Sequence, residues 1–69
     1  MTKNVYVHVA KVVVDLAQAI NGLHCAQSES ILGSTIYNRL VENTAEIVKS
    51  YEDLAQACLD YEDRSRDGE

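Results

Sequence analysis

The sequence predicts an all-α protein, a two-helix antiparallel hairpin that dimerises into a four-helix-bundle-like assembly. The 69 residues include no proline, so long helices can run uninterrupted. Both halves of the chain repeat apolar residues at steps of three and four, which is the spacing of one helix face. Two helices that pack only on each other bury one stripe apiece, a small core for this length. We therefore expect a second copy of the chain to complete the core.

The first helix is predicted over about residues 4–21. Its polar residues form one narrow stripe, and most of the remaining circumference is apolar. A helix of this kind is buried on more than one side, which places it at the centre of an assembly. The stripe consists of Asn4, His8, Lys11, Asp15, Gln18 and Gly22, and the predicted dimer core on this helix consists of Tyr6, Val9, Val13, Leu16, Ile20 and Leu23.

The start of this helix has an alternative interpretation. Six of the ten residues from Val5 to Val14 are valine, and valine favours strands because it is branched at Cβ. A strand over residues 5–9, followed by a helix from Ala10, would suit a ribbon-helix-helix DNA-binding dimer. The helix is favoured because the polar stripe keeps helical spacing through both halves of the segment.

A turn is predicted over about residues 22–30, and a second helix over about 31–62. Asn21-Gly22 is typical of a helix end, and Ser28 or Ser30 can cap the next helix, with Gly33-Ser34 as a later start. A flexible charged tail is predicted over 64–69. The second helix adds four residues to the predicted dimer core, namely Ile36, Leu40, Ile47 and Leu54.

Residue types that carry catalysis or hold metals are few and poorly spaced. His8 and His24 have no nucleophile or carboxylate at a spacing that a helix would fix into a catalytic pair. Cys25 and Cys58 stand alone, without a second cysteine at zinc-ligand spacing, although one bridge between them is possible. We expect no enzyme activity, no metal and no cofactor.

Charge is distributed unevenly between the two parts of the chain. Residues 1–41 carry three basic and two acidic side chains, whereas residues 42–69 carry three basic and nine acidic ones. Phosphate backbones would be repelled by the second half, so we expect no nucleic-acid partner. The apolar start is interrupted by His8 and Lys11 and is too short for a membrane span or a convincing signal peptide, so a cytoplasmic protein without a membrane partner is expected.

An exposed acidic helix can instead bind a basic surface on another protein and compete with the polyanion that normally binds there. The predicted contact residues are Tyr37, Arg39, Glu42 and Glu46, on the best-defined helix. In size and charge, though in no diagnostic motif, the chain is similar in style to inhibitors and antirepressors carried by phages and other mobile elements. This likeness implies a modulator of a transcription regulator. A structural or assembly subunit that tethers copies of itself is the remaining alternative.

Overall fold

The computed structural model describes residues 1–67, which form two α-helices packed side by side in opposite directions. Helix α1 spans Lys3–Glu29 and helix α2 spans Thr35–Asp67. The hairpin measures 53 × 14 × 14 Å. Because α1 runs through residues 5–9, the helical prediction there is confirmed. Within residues 1–67 there is no strand from which a ribbon-helix-helix dimer could be built.

The two helices meet along one seam, whose residues follow alternating steps of three and four. This spacing keeps one stripe of each helix against the other over many turns, as in an antiparallel coiled coil. Every seam residue is partly or fully buried. On α1 the seam is Tyr6, Val9, Val13, Leu16, Ile20, Leu23 and Gln27, and on α2 it is Tyr37, Leu40, Thr44, Ile47, Tyr51, Leu54, Cys58 and Tyr61.

Helix α1 is longer than predicted. The expected end at Gly22 is wrong, since the helix continues to Glu29 and residues 22–29 are helical rather than a turn. A glycine inside a helix costs only about 1 kcal/mol relative to alanine. That cost is offset here because Leu23 and Gln27 continue the seam and pack against α2.

The connection between the helices is correspondingly short. Ser30 closes α1 with a backbone hydrogen bond to the carbonyl of Gln27, and the Ser34 N–H bonds the Ile31 carbonyl across a tight turn at 3.0 Å. Gly33 has φ +81°, the left-handed conformation that the third position of a type II turn requires. Ile31 and Leu32 lie at the tip of the hairpin, each 80% exposed.

Helix α2 begins later and ends later than predicted. Ser34 caps it, with its Oγ accepting a hydrogen bond from the Tyr37 N–H, so the later of the two possible starts is correct. The helix then runs to Asp67, which makes the expected flexible tail helical over residues 64–67. The last two residues of that predicted tail, 68 and 69, lie outside the described residues.

Few side chains are fully buried in a single hairpin. Among the described residues, Thr44 at 6% exposure and Cys58 at 9% are the ones that count as buried. Nine of the ten residues predicted for the dimer core lie partly buried in the seam between α1 and α2. Ile36 lies outside the seam and is 56% exposed. The role of the seam in a dimer stays a prediction.

Candidate protein-binding surface

The side of α2 that faces away from α1 carries a continuous line of charged and polar side chains. These residues are again spaced by three and four, so they lie along one line of the helix. All of them are exposed, and they include five acids against two bases. We call this line the acidic edge, and it consists of Arg39, Glu42, Glu46, Lys49, Asp53, Gln56, Asp60 and Asp63.

Three of the four predicted contact residues lie together on this edge. Arg39, Glu42 and Glu46 are exposed and occupy successive turns near the hairpin tip. Further along, Gln56 donates a hydrogen bond from Nε2 to Oδ1 of Asp60 at 3.0 Å. At 1.5 Å per residue the whole edge is about 36 Å long.

Tyr37 is not part of this surface. It is partly buried in the seam, in the first turn of α2. Since each residue turns a helix by about 100°, Tyr37 and Arg39 point in nearly opposite directions. Tyr51 and Tyr61 are also seam residues and are partly buried. Tyr37, Thr44, Tyr51 and Cys58 are spaced by seven residues, and this spacing could have indicated that the tyrosines lie in the seam.

A polar layer crosses the seam where the sequence predicted a turn. The Gln27 amide donates from Nε2 to the Thr44 hydroxyl at 2.7 Å, and the Thr44 hydroxyl donates to the Leu40 carbonyl at 2.6 Å. Neither residue was singled out from the sequence. The step of four from Leu23 to Gln27 could have revealed that the seam continues beyond Gly22.

At the open end of the hairpin, Tyr6 joins the two helices. Its ring stacks on the ring of Tyr61 with centroids 4.6 Å apart, and its hydroxyl donates a hydrogen bond to the Glu62 carboxylate. This hydrogen bond, together with the negative charge of Glu62, raises the pKa of the Tyr6 phenol above its usual value. The contact serves the fold, because it ties the start of α1 to the last turns of α2.

Two shallow grooves flank the seam, on opposite sides of the hairpin. One, of about 400 Å³, lies at the open end and is lined by Met1, Ala57, Asp60, Tyr61, Arg64 and Ser65. The other, of about 340 Å³, lies midway and is mainly apolar. Its walls come from both helices and consist of Val13, Val14, Ala17, Gln18, Asn21 and Tyr51.

The histidines and cysteines are spread along the hairpin. His8 and His24 are both exposed on α1, sixteen residues and therefore about 24 Å apart along the helix. Cys25 is exposed near the tip, whereas Cys58 is buried one turn before Tyr61, in the half of α2 nearer the open end. Within residues 1–67 no group of three or more His, Cys, Asp or Glu side chains could hold a metal ion.

The two cysteines cannot bridge within one hairpin. Tyr61 stacks on Tyr6, so Cys58 lies about one turn from the level of Tyr6, whereas Cys25 is nineteen residues further along α1. The rise of a helix separates the two thiols by roughly 20 Å or more. A disulfide needs Cα atoms within about 7 Å, so the possible bridge left open by the sequence does not form in this fold.

Neither helix, over the described residues, is long and apolar enough to cross a membrane. Comparison of the chain with protein-family models, with curated proteins and with solved structures finds no match.

Proposed function

We propose that this protein is a non-enzymatic modulator that works by binding another protein, and that it does so as a homodimer. The favoured target is a transcription regulator, which the chain would inhibit by covering a basic surface. The observation that carries the proposal is the acidic edge, a line of exposed side chains on the outer side of α2.

The placement of charge supports this function. The edge has a formal excess of three negative charges over about 36 Å, and none of its side chains is needed for the seam. A line of acids on a rigid helix gives electrostatic complementarity to a basic groove, which speeds association and disfavours partners of the wrong charge. A groove that binds DNA is basic, so an acidic helix placed there would compete with the DNA phosphates.

The contact residues of the proposal are Arg39, Glu42 and Glu46. They are exposed, they lie on successive turns, and they are held by the helix next to the polar layer of the seam. Tyr37 is left out of the contact set because its ring lies in the seam. No nucleic acid, membrane or cofactor is part of the proposal.

The test compares two double variants that remove the same charge from different helices. Glu42→Gln with Glu46→Gln neutralises the acidic edge, and Asp15→Asn with Glu29→Gln neutralises two exposed acids of α1. Tagged wild-type and variant chains are used to capture proteins from an extract of the source organism. We expect a basic DNA-binding protein to bind the wild type and the α1 variant, to be released by salt, and to be lost with the edge variant.

Circular dichroism checks that all three chains are equally helical, and a gel-shift assay with the captured regulator checks that the wild type displaces DNA. Equal capture by the edge variant would show that this surface is not the contact. Recovery of the chain alone would favour the second candidate, an assembly subunit, which the exposed apolar side chains of the hairpin support.

A further inference from the structure

We propose that one flank of the hairpin, rather than the acidic edge or the opposite flank, is where a second copy of the chain docks. The inference rests on the homodimer of the proposed function and adds which residues form the interface. This flank, which we call the apolar face, has exposed or partly buried aliphatic side chains from both helices. They are Val7, Val14, Ala17, Val41, Val48 and Leu59.

The first argument is area. A folded monomer of 7.7 kDa is expected to expose about 4,300 Å² of surface. The hairpin exposes 5294 Å². The difference, roughly 1,000 Å², is slightly more than the about 800 Å² that each partner buries in a standard protein–protein interface. One docked copy would therefore bring the exposed surface of each chain to the value typical of a folded protein.

The second argument is the position of the face. Val14 and Ala17 of α1 share the midway groove with Tyr51 of α2, which places them on the side of the seam where Tyr51 emerges. Val48 lies three residues before Tyr51, and it is partly buried. Side chains from the two helices thus form a mainly apolar surface alongside the seam. A second hairpin placed on it would enclose the seam and the face in a common core, as in a four-helix bundle.

The third argument is charge. Each copy has a formal charge of −5, so two copies repel unless the surfaces that meet are nearly free of acids. On the helical lines that contain the apolar face, the acidic side chains are Glu52 and, three residues beyond Leu59, Glu62, whose carboxylate accepts the hydrogen bond from Tyr6. The opposite flank also has exposed valines, but acidic side chains from both helices lie beside them. These acids are Asp15 and Glu29 on α1 and Glu46, Asp53 and Asp60 on α2.

The same charge argument favours a second copy over a lipid surface as the occupant. A helix that binds the membrane interface pairs its apolar side with lysine and arginine, which attract anionic lipids. Here the polar rows that border the apolar face are the acidic edge on α2 and the polar stripe of α1, which carries Lys11 as its single basic side chain. With the apolar face buried in a twofold dimer, both acidic edges stay on the outside, available to a partner protein.

The test uses two valines of α1 that lie on opposite flanks. Val14 is on the apolar face and is 56% exposed, whereas Val12 is on the other flank and is 43% exposed. Neither belongs to the seam, so Val14→Glu and Val12→Glu make the same chemical change outside the main contact between α1 and α2. We expect wild type and Val12→Glu to sediment with twice the 7.7 kDa mass at tens of micromolar. We expect Val14→Glu to sediment as a monomer, with dimer affinity weakened at least about 100-fold, because an unpaired carboxylate would be buried.

A second measurement does not depend on the folding of the glutamate variants. A nitroxide is attached to Val14→Cys or to Val12→Cys in a Cys25→Ser background, with Cys58 protected by burial. We expect the label at position 14, and not at position 12, to lose mobility as the concentration is raised. A wild type that stays monomeric would overturn the homodimer. A dimer that Val12→Glu disrupts as much as Val14→Glu would overturn the assigned face, and neither result bears on partner binding through the acidic edge.

Discussion

Gln27 and Thr44 face each other across the seam, joined by a 2.7 Å hydrogen bond from the amide Nε2 to the hydroxyl Oγ1. The amide also lies 3.4 Å from the Leu40 carbonyl, to which Thr44 donates its own hydroxyl proton. Among the described residues, no buried side-chain nitrogen or oxygen lacks a partner. A satisfied polar layer in an otherwise apolar seam fixes how the two helices align, because sliding by one turn would leave these groups unpaired.

Removing one partner of the hydrogen bond between Gln27 and Thr44 should destabilise the hairpin. Thr44→Val keeps the shape but removes the hydroxyl, and we expect a loss of about 1–2 kcal/mol in the free energy of unfolding. Gln27→Leu with Thr44→Val removes both partners and should recover most of that loss. Urea unfolding followed by circular dichroism measures both variants and the Gln27→Leu single variant. Strictly additive effects of the two substitutions would mean that the hydrogen bond contributes nothing.

The contact between Tyr6 and Glu62 predicts a pH dependence at the alkaline end. The raised pKa of Tyr6 means that the folded chain holds the phenolic proton more tightly than the unfolded chain. Its contribution to stability is therefore complete below about pH 10 and is lost as the pH rises through the raised value. We expect the melting temperature of the wild type to fall more steeply above pH 10 than that of Tyr6→Phe, which keeps the ring stack.

The cause of the raised pKa can be tested separately. Glu62→Gln keeps an acceptor oxygen but removes the charge, so the pKa of Tyr6 should move back towards 10. NMR titration of ring-labelled tyrosine reads out Tyr6 directly, with assignment from Tyr6→Phe. An unchanged Tyr6 titration in Glu62→Gln would show that the carboxylate does not hold this proton.

The two glycines of the described chain should respond in opposite ways to the same substitution. At Gly33 the backbone has φ +81°, so Gly33→Ala forces an alanine into a left-handed turn and should cost about 1 kcal/mol. At Gly22 the backbone is helical, and a Cβ would meet nothing within 4 Å. Gly22→Ala should therefore stabilise the chain by about 0.5–1 kcal/mol. Thermal melts of the two variants measure these changes in stability. A lower melting temperature for Gly22→Ala would contradict a helix that continues through Gly22.

The cysteines should differ in their reaction with thiol reagents. Cys25 is exposed and Cys58 is buried in the seam, so one thiol per chain should react at once with a coloured disulfide reagent. The second should react only when the chain is unfolded in denaturant, at a rate set by opening of the hairpin. Cys25→Ser should remove the fast phase and leave the slow one. Two equally fast thiols would mean that the seam around Cys58 is open.

Much of the fold followed from residue spacing. The steps of three and four fixed which side of each helix is apolar, so the helical assignment of Val5 to Val9 was correct despite its valines. Arg39, Glu42 and Glu46 were likewise placed together, because their positions on one helix depend only on the pitch. The boundaries were less predictable. Gly22 favours a helix end locally, and only packing of the residues beyond it against α2 keeps α1 intact.

The sequence by itself determined two helices, a separation of charge along the chain and an acidic outer side of α2, because these depend on periodicity and composition. The tertiary structure decided which of several apolar stripes forms the seam, and with it that Tyr37 is partly buried while Ile36 is exposed. A helix as apolar as α1 offers more than one stripe for packing, and its own spacing does not say which stripe meets α2 and which stays free for another copy. The alignment with α2, fixed by Gln27 with Thr44 and by Tyr6 with Tyr61, makes that choice and leaves the apolar face uncovered.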